Sequence, residues 1–347
     1  MSKSRTSIRD VARESGVSLT TVSLVLNKND HRISDATRQR VLEAMKRLAY
    51  TPSRLARGLP NRRANTLAIL VPALEHAFAD VYFGEVISGI YDAAADAGYR
   101  ILLEVARSDY VRRKEYLTIL DECSVDGILF IGATEEHTWL KDFDGADRPL
   151  MIVNNRFRHW DLHHVTCDYA EAGRIAADHL HSLGHRRIGH IAGPRAAVLT
   201  ARELTDAFVA RLRERGVRLD EQQIVEGHYL VDMGKLACDQ LLGRDRSLTA
   251  IFAANDKMAV GAYQSLRAHG LQPGIDVSVI GCDDIPAAAL ADPPLTTIRL
   301  PFADAGAAAC RRLIDMIEGR QNGRRVAERL PATLVSRRSC EPAPSHA

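Results

Sequence analysis

The chain has 347 residues, 46% apolar and 26% charged, an ordinary globular composition with room for two or three domains and a large core. Its net charge of +2 hides a division: residues 1–63 hold 14 Lys/Arg against 5 Asp/Glu, a balance of +9, and the rest hold 32 against 39, a balance of −7, so a basic head that suits a polyanion is joined to an acidic body. No run of about 18 apolar residues occurs and MSKSRTSIRDVARES has no apolar leader, which argues against membrane spanning and export and predicts a cytoplasmic protein.

In the head, Ser7 is placed to cap a first helix with Asp10 answering three positions later, and Ile8, Val11 and Ala12 share its inner face. Gly16 ends that helix, Val17 packs under the turn, and Ser18 caps a second helix running to about Asn27. At about 100° per residue, Val22, Val25 and Leu26 cluster on one side of it and Thr20, Leu24 and Asn27 on the other. Ser34 caps a third helix in SDATRQRVLEAMKRLAY, with Val41, Leu42, Met45 and Leu48 as its inward stripe. Three short helices with a glycine turn between the first two make a helix-turn-helix, whose second helix enters a DNA major groove. The plainer alternative is a helical cap with a solvated basic surface. The charge division and the outward Thr20, Leu24 and Asn27 weigh against it. Ser18 and Ser23 suit phosphate bonding or simple capping, and Thr and Leu methyls can meet a thymine methyl.

YTPSRLARGLPNRRA (50–64) carries Pro52, Gly58 and Pro60, which keep any helix short, so on its own chemistry it reads as a linker. Beyond it, short apolar runs alternate with amphipathic helices. The runs are TLAILVP, YRILLEVA, DGILFIG and LMIVNN, with helices near 83–97 and 111–123; then RIGHIAG, QIVEG, AIFAAND and SVIGCDD, with helices over AEAGRIAADHLHSLGH and near 202–215, 233–243 and 257–269. Such alternation means parallel sheets covered by helices on both faces, and two successive sets mean a two-lobed α/β core with a ligand cleft at the strand C-termini. The fold class is therefore an all-α helix-turn-helix domain plus a core of two doubly wound parallel sheets, a layout also used by periplasmic sugar-binding proteins. The expected boundaries are 1–49 for the DNA-binding head, 50–63 for the hinge, 64–340 for the core and 341–347 for a tail. Within the core the N-lobe takes about 64–164 and 299–327, and the C-lobe about 165–298 and 328–340.

The opening I-x-D-V-A, then G-V-S-x-x-T-V-S, Asn27, S-x-x-T-R-x-x-V and Y-x-P-x-x-x-A-x-x-L, in that order, resemble the head and hinge of the LacI (lactose repressor) family of bacterial transcription regulators. VDG, LGHRRIGHIAGP, AIFAANDKMAVGA, VSVIGCDD and PPLTTIR extend the resemblance over nearly the whole chain. It implies that Leu19, Thr20 and Leu24 read bases, while Ser18, Thr21, Ser23 and Asn27 hold the DNA backbone. It further implies a homodimer on a pseudo-palindromic operator. The hinge, including Arg54, would fold only on DNA, with Leu59 wedged into the minor groove and Ala56 against its floor, and a small effector in the cleft would shift DNA affinity. Leu24 departs from the Arg common in relatives, which reads guanine by a bidentate contact worth about 1–3 kcal/mol of discrimination.

The cleft departs too. EHAFADVYFGEV leaves Tyr82 and Phe83 at an aromatic locus, and Tyr229 matches a position where a ring often stacks on the effector; ordinary core packing is the alternative for each. Asn255 and Asp283 match polar strand ends that bond ligands in relatives, or else cap turns; Asp168 matches an Asp common in the family, or else simply caps the following helix. In TARELTDAF, Leu204 stands where relatives place an Arg that clamps sugars, and Ala207 where they place Gly. This predicts a flatter or more apolar effector than an Arg-held monosaccharide, with Thr200, Asn255 and Asp283 as polar anchors and Arg195 or Arg202 able to compensate. The six scattered cysteines read as reduced core thiols, and the histidines, His179, His181, His185 and His190 among them, lack metal spacing. No cofactor, no metal and no catalytic motif is expected, so the chain reads as a regulator and not an enzyme; a small-molecule binding protein without DNA function is the competing reading. The tail LVSRRSCEPAPSHA lacks leucine heptads, which predicts a dimer and not a tetramer.

Overall fold

The computed structural model describes residues 6–26, 33–50, 63–74, 80–321 and 323–344. The head folds as α1 (Ile8–Ser15), α2 (Leu19–Leu26) and α3 (Asp35–Arg47), and local chemistry sets each boundary. Ser7 Oγ accepts the Asp10 amide at 3.4 Å while Asp10 Oδ2 accepts the Ser7 amide at 3.0 Å, a reciprocal box. Gly16 closes α1 at φ 64°, where a side chain would be strained. Ser18 Oγ accepts the Thr21 amide at 3.1 Å and Ser34 Oγ the Thr37 amide at 3.3 Å, starting α2 and α3. Val11, Val22, Val25, Val41 and Ala44 meet as the buried centre. One position of the α3 stripe is corrected: Leu42 is 45% exposed and Ala44 is buried. Val41, Ala44, Met45 and Leu48 keep the i, i+3, i+4, i+7 spacing, and Leu42 lies about 100° round from Val41.

The body holds two sheets. β1 (Thr66–Pro72), β2 (Arg100–Ala106), β3 (Gly127–Ile131), β4 (Leu150–Val153), β5 (His164–Cys167) and β11 (Ala327–Leu330) pair in the order β11-β5-β4-β3-β1-β2, all parallel. β6 (Ile188–Ala192), β7 (Ile224–Glu226), β8 (Ala250–Ala253), β9 (Ser278–Asp283), β10 (Thr296–Arg299) and β12 (Thr333–Val335) pair as β12-β10-β9-β8-β6-β7, parallel except for β12 against β10. The apolar strands are buried on both faces, as parallel sheets require. In the first lobe α4 (Val81–Asp96) packs on α12 (Phe302–Ile317); in the second, α7 (Tyr169–Ser182) packs on α8 (Leu199–Glu214) and α9 (Val231–Arg244) on α10 (Asp256–Ala268). Gly89 and Gly173 permit two of these contacts, since a Cβ on either would collide with the backbone of Ala303 or Leu204.

Three details differ from the sequence expectation. The chain passes between sheets after Cys167, after Arg299 and after Leu330, because HVTC and AERL both pair within the first sheet; the expected crossings stood near 164, 298 and 327. The helix near 111–123 is two, α5 (Ser108–Arg112) and α6 (Glu115–Asp121), broken at Lys114, which takes φ 52°. The alternation also passed over the short α11 (Pro286–Leu290) and over α12, although Phe302, Ala305, Ala309 and Leu313 carry the buried stripe of α12.

Candidate functional site

Two surfaces draw together the residues marked by the sequence. On the head, α2 turns Val22 and Val25 inward, leaves Leu19 44% exposed and Thr20 exposed, and holds Thr21, Ser23 and Leu24 half-buried. Ser18 is committed to capping, its hydroxyl 2.9 Å from that of Thr21. LTTVSLVL contains no charged side chain, so among the described residues the positive charge of the head is carried by α1 and α3, on Arg9, Arg13, Arg38, Arg40, Lys46 and Arg47. Asn27, Arg54, Ala56 and Leu59 lie outside the described residues.

The second surface is the cleft between the lobes, at the C-terminal ends of β4, β6, β8 and β9. Asp80 caps α4 through the Tyr82 amide at 3.0 Å and reaches across to Lys257 on α10, Oδ2 to Nζ 2.5 Å. The Glu135 amide donates to the Ala197 carbonyl at 2.8 Å, and Arg156 pairs with Glu203, so several polar ties close the lobes on one another. Asn154, just past β4, donates to the Tyr169 hydroxyl at 2.7 Å and bears on the Tyr82 phenol. Tyr82 meets Phe83 and Phe302 edge to face at 5.0 and 4.9 Å. From the other lobe, Asp283 and Tyr229 lie close enough to act on Tyr82, and Asp283 on Cys167. Asn255 caps α10 through the Met258 amide at 2.9 Å and donates to the Tyr229 carbonyl at 3.4 Å.

Electrostatically the cleft is acidic, with Asp80, Glu85, Asp256 and Asp283 bearing on one another. Burial is the main cause that raises the phenols of Tyr82, Tyr169 and Tyr229, so all three stay neutral. Burial, then Asp256, Asp80 and Glu85, raise the Asp283 carboxyl well above its usual range, with Lys257 opposing. Asp256 lies beneath it, fully buried; it accepts the Ile285 amide at 2.9 Å and the Thr297 hydroxyl at 2.5 Å, and burial pushes its carboxyl up to about 7. Asn154, Tyr229 and Asp283 take φ 59°, 61° and 113°. Such backbone costs of order 1–3 kcal/mol per residue and gathers at ligand sites.

Tyr82, Tyr229, Asn255 and Asp283 are thus brought together. Phe83 and Leu204 are corrected: both are buried in the apolar cluster, Phe83 against Gly132 and Leu204 at 1% exposure on the α7–α8 contact, and neither offers surface to a ligand. Thr200 is buried at the start of α8, and no hydrogen bond joins it to the group above. Arg195 is drawn away from the cleft by Glu221 at 2.6 Å and Glu226 at 3.4 Å, toward an outer groove of about 660 Å³, and Arg202 pairs with Asp206. Asp168 caps α7 through the Glu171 amide at 2.9 Å. Asn154, Tyr169, Asp80 and Lys257 are the members sequence reasoning passed over; the NN directly after the LMIV strand was the available signal. His185 bonds Thr249 and Ser278, His190 bonds Phe252 and Thr205, and among the described residues no three potential metal ligands gather. No helix of the described residues is long and apolar enough to cross a membrane.

Comparison with known proteins gives a consistent result. Residues 7–53 match the family description "bacterial regulatory proteins, lacI family", and residues 177–340 match the periplasmic binding protein-like domain. The HTH-type transcriptional regulator DegA of Bacillus subtilis is 35% identical over 97% of this chain and 99% of its own. The HTH-type transcriptional repressor CytR of Escherichia coli K12 is 33% identical over 91% of each. Among solved structures, the Lac repressor dimer bound to operator and the anti-inducer ONPF superposes with TM-score 0.84 at 25% identity, covering 97% of this chain and all of that one. A complex of the transcriptional regulator CelR with cellobiose superposes with TM-score 0.74 at 31% identity, over 96% of this chain and all of that one.

Proposed function

The chain belongs to the LacI family of bacterial regulatory proteins, and from that premise we propose that it is an effector-responsive transcriptional repressor that binds a pseudo-palindromic operator as a homodimer. The observation that carries this reading is the capped helix-turn-helix with Thr20 and Leu19 turned outward from a closed core on a basic head. In this reading Leu19, Thr20 and Leu24 face base edges, Ser18, Thr21, Ser23 and Asn27 hold phosphates, and Arg54, Ala56 and Leu59 dock a hinge helix in the minor groove. The solved Lac repressor dimer on its operator supports the dimeric arrangement.

The effector enters the cleft against Tyr82 and Tyr229, with Asn255, Asp283, Asn154 and Tyr169 as polar contacts, and acts by favouring one lobe arrangement over another. An Arg fork on sugar hydroxyls is not part of this reading, since Leu204 is core and Arg195 and Arg202 are paired elsewhere. The protein works by binding and not by catalysis, in the cytoplasm where the chromosome is; the transcriptional regulators among its relatives support both points. Selection of sites from random duplex DNA with the purified full chain, repeated with a metabolite panel, tests it. Recovery of one palindromic family whose binding changes with a metabolite is the expected result. Indifference to every duplex would instead favour a binding protein without DNA function.

A further inference from the structure

Arg63 opens the segment that leads into β1, and its guanidinium donates at 2.9 Å to the carbonyl of Ile317, the last residue of α12. A helix leaves its final carbonyls without partners inside the helix, and that end carries partial negative charge. At the end of α12 the Glu318, Gly319 and Arg320 amides take the carbonyls of Ile314, Met316 and Asp315 at 2.9, 3.1 and 2.9 Å, and Arg63 takes that of Ile317. Directly after Arg63, the Ala64 and Thr66 amides donate to the two oxygens of Asp126, next to β3, at 2.7 and 3.1 Å. The other end of α12 lies at the cleft, where Phe302 meets the Tyr82 ring at 4.9 Å. From this continuity, and resting on the operator and effector readings above, we propose that Arg63 positions the hinge for the operator by clamping it to α12, and that α12 carries the state of the cleft to that clamp.

With 16 residues, α12 spans about 24 Å. It cannot slide freely along its neighbour, because α4 touches it backbone to backbone: a Cβ on Gly89 would strike the Ala303 carbonyl, and one on Gly306 the Val86 carbonyl. α4 carries Tyr82 and Phe83, so the aromatic wall of the cleft and the rod behind it shift as one body. At the far end Gly127, directly after Asp126, leaves room for the Leu313 and Ile317 side chains against β3, which holds the two anchors of Arg63 and Ala64 in fixed relation. The neighbouring cation, Arg320, pairs with Asp315 at 2.7 Å and with Glu318. Loss of the Arg63 bond leaves the Asp126 ties and the core of the lobe in place, so the fold survives and what is lost is the direction in which the hinge leaves the body.

The test uses the full-length protein, the duplex recovered by site selection, the same duplex with one base pair inserted at its centre, and an ultrafiltered small-molecule extract of bacterial cells. A positioned hinge fixes the separation of the half-sites, so the wild type should prefer the uninterrupted duplex, and the extract should change its affinity. In Arg63→Gln the preference between the two duplexes should shrink at least about fivefold, and the extract should change operator affinity by less than about twofold. The extract should still raise the melting temperature of the variant as it does that of the wild type, because the cleft is intact. Arg320→Gln removes a cation from the same corner and should behave as wild type in all three readings. A loss confined to the salt dependence of binding, with the slope of log affinity against log salt lower by about one, would make Arg63 a phosphate contact and overturn the positioning role. Equal losses in Arg320→Gln would assign them to local charge and overturn the clamp. An extract response of wild-type size in Arg63→Gln would overturn transmission through α12. Failure of the wild type to select any duplex, or a wild type whose operator binding and melting temperature both ignore the extract, counts against the operator or effector reading itself before any variant is compared, and this inference falls with it.

Discussion

The carboxylate of Asp80, which caps α4 on one lobe, lies 2.5 Å from the ammonium of Lys257, in the first turn of α10 on the other. They stand 177 positions apart in sequence, so the pair exists only because the lobes are closed. Their side chains keep 27% and 30% exposure, so solvent screens the attraction. A double-mutant cycle of Asp80→Asn and Lys257→Met, read by urea unfolding, should return a coupling of at most about 1 kcal/mol. The larger effect is expected on shape. Either variant should show a greater radius of gyration by small-angle X-ray scattering, since a cross-lobe tie is removed; an unchanged radius in both would mean the remaining ties suffice.

Gly16→Ala probes the head alone. At φ 64° the open space around Gly16 does not help an alanine, because the strain is in the backbone. The expected cost is about 1 kcal/mol of head stability, seen as earlier loss of helical circular dichroism and weaker operator binding with little change in the melting of the α/β body. Equal loss in both transitions would mean that head and body unfold together.

What the sequence made legible follows the range of the interactions concerned. Ser7 with Asp10, Ser18 with Thr21 and Ser34 with Thr37 bond across three residues, and each helix start was readable from its letters. Strand-helix alternation was readable for the same reason, as a short-period pattern. Leu204 and Phe83 were not, because whether an apolar side chain faces a cleft or a core depends on which helix packs on it; Gly173 brings α7 hard against Leu204, and no local signal says so. The Asp80–Lys257 tie and the Asn154–Tyr169 bond were hidden likewise, one spanning two lobes and the other joining two segments across the lobe boundary.

His190 gives a pH prediction. It is fully buried in the second lobe, stacked on Phe252 at 4.9 Å and bonded at 3.0 Å to the Phe252 carbonyl and the Thr205 hydroxyl. Burial lowers its pKa from 6.5 to about 4. The unfolded chain thus takes up a proton that the folded one refuses. This group's contribution is intact above about pH 6.5, erodes as pH falls toward 4, and changes no further below that. At pH 5 the loss is about 2 kcal/mol. His190→Gln keeps hydrogen-bonding capacity without titrating, so the difference in urea stability between pH 7 and pH 5 should shrink by about that amount relative to wild type. An unchanged difference would assign the acid sensitivity to the carboxylates instead.

The proposed place of Leu24 against base edges gives a prediction about sequence preference. On α2, no side chain is charged and the outward groups are methyls and hydroxyls, with Leu19 44% exposed. Such a surface can contact thymine methyls but cannot make the forked contact to guanine O6 and N7 that an arginine makes. Half-sites selected by the wild-type protein should therefore lack a guanine requirement at the base pair facing Leu24 and favour thymine there. Leu24→Arg should restore guanine by about 1–3 kcal/mol, roughly a fivefold to 150-fold change in relative affinity at that position with the rest of the site unaltered. Because Leu24 is half-buried and its stem can be matched by the arginine methylenes, the head should fold as before. Recovery of a guanine-bearing half-site by the wild-type chain would show that another residue reads that base pair, and the assignment of Leu24 would be withdrawn.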